Sequence, residues 1–283
     1  MQQDLFNNND SNKANQLGHA NITYKHVASI LNKTSGFMNT YDYSLNPYSG
    51  CAFGCTYCYA AFFARDNDQK ENWGYWVNVK ENALALLKKI RQKPITGKSV
   101  YMSSVTDPYQ PIENKIELTR DILKELLYYH QPRLVIQTRS PLVTRDIDLL
   151  KQFKVVQVNM TITTDSEVIR KAFEPFCPGN KARLNAIKEM HKSGINSCIT
   201  MTPLLPLEDP HSFAKSLLST GIKKFIIQPF HQERGKFTAG TREEAMRLFK
   251  KFMWSNEKYK EVERIIQSYI PDIGIGKEGF API

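Results

Sequence analysis

From residue 99 onward, short apolar runs alternate with longer stretches in which apolar residues recur every three or four positions. SVYMSS (99–104), RLVIQT (133–138), VVQVNMTIT (155–163), NSCITMTP (196–203) and KFIIQP (224–229) are dense in apolar and β-branched residues and read as strands. Between them, IELTRDILKELLYY (116–129), RDIDLLKQF (145–153) and NKARLNAIKEMHKSG (180–194) carry helical spacing, and Gly194 closes the last. Helix-like sequence also separates the final two strands. Near-continuous apolar strands joined by helices predict a parallel sheet with helices on its outside.

The two ends differ from this middle. Residues 1–20 are polar and Asn-rich with almost no periodic apolar positions, which predicts a disordered tail. At the other end, TREEAMRLFKKFM (241–253) opens on the capping-box pair Thr241 and Glu244 and places Ala245, Leu248, Phe249 and Phe252 on one face. EKYKEVERIIQSY (257–269) does the same with Val262, Ile265, Ile266 and Tyr269. The expected organisation is a tail over 1–20, a core domain over 21–235 and a helical extension over 236–283.

Composition adds three limits. Apolar residues make up 41% of 283 positions, enough for a sizeable core, and no run approaches the roughly 18 apolar residues of a membrane span. MQQDLFNNNDSNKANQ has no basic region followed by an apolar one, so the expected location is cytoplasmic. Lys and Arg exceed Asp and Glu by 38 to 28, a formal +10 that suits a polyanionic partner, with KKIRQK (88–93) and GIKKF (221–225) as candidate contact runs.

The chemistry is concentrated in NPYSGCAFGCTYCYA (46–60), where Cys51, Cys55 and Cys58 fall within eight positions. A closed zinc site takes four Cys or His ligands, so zinc here requires a distant fourth one. Three thiolates at C-x3-C-x2-C spacing fit a 4Fe–4S cube with one iron left open, and the small residues Gly50, Ala52, Gly54 and Thr56 let the backbone wrap closely. An open iron can be chelated by the amino and carboxylate groups of S-adenosylmethionine. Reductive cleavage then yields a 5′-deoxyadenosyl radical, with the protein positioning the parts.

This cysteine motif, followed by Tyr59, resembles that of the radical SAM superfamily, and more closely its spore-photoproduct-lyase-like branch, often labelled DNA repair photolyase. The resemblance covers about residues 40–230. It is carried by SLNPYSGC, CTYCYA, VKEN (79–82), SSVTDPYQPIE (103–113), LTRDIL (118–123), TRSPLVTRDIDLL (138–150), FEP (173–175), KARLNAIKEMHKSGI (181–195) and TPLLP (202–206). It implies a partial (β/α)6 TIM-like barrel with sites at the C-terminal strand ends, followed here by the C-terminal helical extension. It implies Cys51, Cys55 and Cys58 as metal ligands and Tyr59 against the adenine. Ser104 and Asp107 would be catalytic candidates at the barrel mouth, Ser104 also touching the cofactor. Arg139 would meet the cofactor carboxylate where relatives often have Lys, and Thr161 and Thr202 would border the ribose or adenine. Asp107 has a second reading as a cap of the turn at Pro108.

The implied activity is a lyase-like radical reaction on DNA or RNA, with a reductant such as flavodoxin or ferredoxin as partner. A non-catalytic iron–sulfur or zinc protein that binds nucleic acid is the alternative. Two departures stand out. Phe53 replaces the His of a frequent C-x-H-G-C pattern, and Ser104 replaces a cysteine that authentic spore photoproduct lyase uses as hydrogen-atom donor. A hydroxyl O–H bond is too strong for that role, which argues against the authentic lyase reaction.

Overall fold

The computed structural model describes residues 15–230 and 242–283. The strands among them are β1 (Gln16–Leu17), β2 (Ala20–Lys25), β3 (Leu31–Lys33), β4 (Tyr43–Leu45), β5 (Tyr48–Gly50), β6 (Trp76–Lys80), β7 (Ser99–Met102), β8 (Arg133–Thr138), β9 (Val156–Thr161), β10 (Asn196–Met201), β11 (Lys224–Ile227) and β12 (Gly274–Ile275). The main sheet has the order β12-β11-β10-β9-β8-β7-β4-β3, and every neighbouring pair from β4 to β12 is parallel. Only β3 runs antiparallel, at the edge beside β4. The six-strand run β4, β7, β8, β9, β10, β11 is the barrel expected from the sequence, with β12 added beyond it.

Alternation along the strands separates two faces. Val100, Met102, Leu134, Ile136, Val158, Met160, Ile199, Met201, Phe225 and Ile227 join one large core with the helices. The opposite face carries Tyr101, Val135, Cys198 and Ile226, which close a smaller cluster with Tyr41 and Phe280. All six residues of β9 are buried, as in a strand covered on both faces. Helix Asn180–Lys192 turns Arg183, Ala186, Ile187 and Met190 inward at helical spacing, and Gly194 follows with φ +82°.

Several elements differ from the sequence pattern. The helix expected over 116–129 is divided into Glu113–Ile116, Leu118–Glu125 and a wide π-type turn at Leu126–His130. Its break falls at Glu117, in the left-handed region, where the buried Glu113 carboxylate accepts from the Thr119 N–H at 2.6 Å. The helix expected over 145–153 is a 3-10 segment, Pro141–Asp146, followed by Ile147–Leu150. The polar tail is shorter than expected, because β1 and the start of β2 already lie within residues 16–20. The rest of that tail, and Thr241 of the capping box, lie outside the described residues.

A four-stranded sheet, β1-β2-β6-β5, was not legible in the sequence. Its inner face, Ala20, Ile22, Tyr48, Val77 and Val79, packs with Ile112 against the barrel. The C-terminal helices Glu243–Lys251 and Asn256–Tyr269 contribute Ala245, Phe249, Tyr259, Val262 and Ile266 to the main core. Chain beyond them returns as β12 beside β11, and Phe280 covers the inner barrel face. No helix among the described residues is long and apolar enough to cross a membrane.

Candidate active site

The cysteine loop leaves β5 and runs to the short 3-10 helix Tyr59–Phe63. Gly50 (φ +74°) abuts Trp76 so closely that a Cβ would collide with its ring and carbonyl. Gly54 (φ +59°) lies against Gly74, with Phe176 over it, and a Cβ there would come within 3.0 Å of the Phe176 ring. Loops after other strands hold the backbone around the cysteines. Thr106 donates to the Gly50 carbonyl at 2.6 Å, Gln110 accepts from the Ala52 N–H at 2.9 Å, and the Thr56 N–H donates to the Phe173 carbonyl at 2.8 Å. SSVTDPYQPIE therefore braces the cysteine loop as well as lining the mouth.

Cys51, Cys55 and Cys58 are free thiols, the first two buried and the third half-buried. Burial raises Cys51 and pushes Cys58 up to about 11. Cys55 moves the other way, because a hydrogen bond from Cys177, 3.6 Å away, favours its thiolate. No three His, Cys, Asp or Glu side chains among the described residues converge on a point suited to one ion. A cube takes each thiolate at a different iron and needs no such convergence, so the free cysteines on a tightly wrapped loop fit that group.

Around the loop, the sequence-predicted residues fall as follows. Tyr59 is 45% exposed and its hydroxyl donates to the Ser104 carbonyl. The Ser104 hydroxyl accepts from Asn46 at 3.3 Å. Asp107 is buried and its oxygens are engaged: Oδ1 accepts from Thr138 at 2.8 Å and the Tyr109 N–H at 2.9 Å, and Oδ2 from the Arg139 N–H at 2.7 Å. Burial raises its pKa, and these bonds oppose that rise. Its geometry is that of a brace between the loops after β7 and β8, which favours the turn-capping reading.

Arg139 follows β8 with a side chain one-fifth exposed. Its Nη2 donates to the Tyr57 hydroxyl at 3.2 Å, its Nε lies 3.7 Å from Glu174, and that Nε has no hydrogen-bond partner. Thr161 is buried at the end of β9, its hydroxyl accepting from Gln137 at 2.6 Å and lying 3.0 Å from that of Thr200. Thr202 stands half-exposed just beyond β10. Tyr59 with Ser104, and Arg139 with Asp107, thus form two linked pairs, each tied to the cysteine loop, the second through Tyr57, while the Thr161 hydroxyl is already committed within the barrel.

Four residues beside these, Tyr57, Glu174, Cys177 and Arg183, lie outside the predicted set. Glu174, from the FEP stretch, is fully buried and binds Arg183 at 2.5 Å, Thr163 at 3.0 Å and the Tyr57 hydroxyl. Burial raises its pKa, but the charges of Arg183 and Arg139 outweigh this and hold it down at about 2. Arg183 occupies an apolar position of its helix stripe, a phase that signals a buried charge in need of a partner. The Cys177 loop folds inward, bringing its sulfur within 3.6 Å of that of Cys55. The candidate charge runs do not join this cluster. Residues 88–93 lead toward β7 and 221–225 into β11, so both sit toward the N-terminal strand ends, away from the mouth. Arg91 is moreover occupied by a bidentate pair with Glu125 at 2.6 and 2.7 Å.

A parallel partial barrel with a three-cysteine loop between its first strand β4 and the next, β7, defines a class, and residues 45–218 match the family described as the Radical SAM superfamily. That is more than half of the chain, and the protein belongs to this superfamily, which uses a 4Fe–4S cluster and S-adenosylmethionine. An uncharacterized protein of Methanocaldococcus jannaschii is 42% identical over 164 residues, spanning 58% of this chain and 61% of that relative, under two thirds of its length. A radical SAM Nα-GlyT isomerase of Pseudomonas phage M6 is 26% identical over 161 residues, 56% of this chain and 32% of that one. Among solved structures, a variant spore photoproduct lyase with bound AdoMet and dinucleoside spore photoproduct superposes with a TM-score of 0.60 at 14% identity, over 90% of this chain and 81% of that one. At that identity the likeness shows the fold.

Proposed function

We propose that this protein cleaves S-adenosylmethionine reductively at a cluster held by Cys51, Cys55 and Cys58 and acts on a nucleic-acid base. The observation that carries this reading is the connected set of cysteine loop, Tyr59, Ser104 and Arg139 at one end of the barrel. The cluster and its bound cofactor supply the 5′-deoxyadenosyl radical; the remaining work is done by side chains of this chain. Arg139 offers a guanidinium, held by Tyr57 and Glu174 with an unpartnered Nε, to the cofactor carboxylate. Asp107 fixes the backbone of Arg139, and Tyr59, fastened to Ser104, presents an exposed ring for the adenine. Thr202, just beyond β10, would border the ribose, and Thr161 at the end of β9 would support the same wall.

The nucleic-acid class is supported by the dinucleoside bound in the structural neighbour and by the formal charge of +10. Ser104 argues for a reaction other than thiol-quenched repair of spore photoproduct, and a lyase-like step in the cytoplasm remains part of the proposal in this modified form. The test is anaerobic incubation of the reduced, reconstituted protein with S-adenosylmethionine and single- or double-stranded DNA or RNA. 5′-Deoxyadenosine and an altered base are expected, with binding that weakens steeply as salt rises. A nucleic-acid-independent turnover, with no binding at low salt, would remove the substrate class.

A further inference from the structure

The outer face of the four-stranded sheet is polar. Along β2, Ala20 and Ile22 belong to the packed inner face, whereas Asn21, Thr23 and Lys25 are exposed on the other. β6 pairs with β2 in register, so Trp76, Asn78 and Lys80 stand beside Asn21, Thr23 and Lys25. The short helix Asn67–Glu71 lies against this face, fastened where the Trp76 indole N–H donates to the Gln69 carbonyl at 2.7 Å. Between helix and sheet is a cavity of about 560 Å³, whose lining includes Asn21, Thr23, Lys25, Gln69, Tyr75 and Asn78.

The cavity has two unlike ends. At one, Tyr75 accepts from the Asn21 N–H through its carbonyl at 2.8 Å, meets His19 edge-on at 5.6 Å and is 48% exposed. At the other, Lys25 and Lys80 are direct neighbours across the two strands, and such like charges repel unless an anion lies between them. Burial lowers Lys80 to about 8, with no carboxylate opposing the shift. Midway, Asn78 is 8% exposed; its Oδ1 accepts from the Thr23 hydroxyl, and its Nδ2 reaches the Ser49 hydroxyl only at 3.5 Å.

We propose that this cavity binds one nucleotide, its base against Tyr75 and His19 and its phosphate between Lys25 and Lys80. From Asn21 to Lys25 the strand advances about 13 Å, room for base, sugar and phosphate laid end to end. The volume is that of a small-molecule site. Amides of Asn21, Gln69 and Asn78 present donors and acceptors together, which suits the edge of a base. Asp68, on the same wall, takes the Asn72 amide at 2.8 Å on Oδ1 and keeps Oδ2 for ribose hydroxyls. The site lies on the side of the sheet away from the barrel and does not rest on the cluster reading. A free nucleotide and an unpaired residue of a strand share this chemistry, and the test separates them.

The test is calorimetry on the full-length protein with the common nucleoside 5′-monophosphates, ribose 5-phosphate and a short single-stranded oligonucleotide. Saturable binding of a monophosphate assigns a free nucleotide; binding of the oligonucleotide alone assigns a residue of a strand. In either case Lys25→Gln combined with Lys80→Gln should weaken binding roughly tenfold or more, and Tyr75→Ala about fivefold or more. The lysine substitutions remove repelled charge, so they should not lower the urea midpoint of the ligand-free protein. No binding of any probe would overturn the assignment. So would ribose 5-phosphate binding as tightly as the monophosphates, binding that survives the lysine substitutions, or a lowered midpoint.

Discussion

Glu174 at the barrel mouth and Glu113 on its flank are both fully buried and both meet arginine, yet burial is outweighed at the first and prevails at the second. Glu174 has Arg183 at 2.5 Å and Arg139 at 3.7 Å, so two guanidiniums act on one carboxylate. Glu113 has Arg145 alone, at 3.1 Å, and Arg145 divides its charge with Asp146 at 2.9 Å. The flank carboxylate is otherwise held by the Tyr48 hydroxyl and the Thr119 N–H. It therefore works as a hydrogen-bonded staple joining the small sheet to the barrel, while the mouth carboxylate is kept ionised and lies against Arg139. A buried acid and a nearby arginine do not by themselves make a charged site; the number of undivided positive charges decides.

The largest expected effect follows from Arg183, which is fully buried and loses its charge partner in Glu174→Gln. Urea unfolding of the cluster-free protein should show a loss of about 3–5 kcal/mol. Acid unfolding probes the same contrast. Glu174 is depressed from 4.5 to about 2, so its contribution is fully present above about pH 4.5 and is lost as pH falls toward 2. That window should carry roughly 3 kcal/mol, absent in Glu174→Gln. Glu113 has the opposite sign: its raised folded pKa means that protonation favours the folded state as pH falls through it. If the two Gln variants shift the acid limb alike, the comparison fails.

Arg139→Ala should weaken S-adenosylmethionine binding by about 1.5–3 kcal/mol, with Arg139→Lys recovering part, as read by calorimetry. Unchanged affinity would place Arg139 among purely structural groups. Glu113→Gln should cost about 1–3 kcal/mol of stability, less than Glu174→Gln, because it loses charge-assisted bonds without stranding a fully buried arginine. Ser104→Cys should leave stability within about 0.5 kcal/mol, yet it places a thiol where wild type has only a hydroxyl. Wild type should repair spore photoproduct poorly, and the variant should improve on it in an anaerobic assay. Rapid, complete repair by wild type would show that another donor serves.

The strands that were legible are those long enough to show a period: β8 matches RLVIQT residue for residue, and β10 lies within NSCITMTP. The small sheet was not legible because β1 and β5 have two and three residues, too few for alternation to register. In β6, WVNVK, Asn78 is buried where alternation would expose it. The cysteine loop was legible from spacing alone. What surrounds it was not, since that is assembled from chain-distant partners: Tyr57 with Arg139, 82 positions apart, and Cys55 with Cys177, 122 apart. The FEP stretch is legible as a family signature, but nothing local says that its glutamate meets two arginines from different elements.

The most direct measurement is anaerobic reconstitution with iron and sulfide, followed by reduction in the presence of S-adenosylmethionine and chromatography for 5′-deoxyadenosine. The account predicts about four irons per chain, 5′-deoxyadenosine from wild type and none when Cys51, Cys55 or Cys58 is replaced by Ala. Stoichiometric zinc with no cluster absorbance, or a loaded and reduced cluster that leaves S-adenosylmethionine uncleaved, would contradict it.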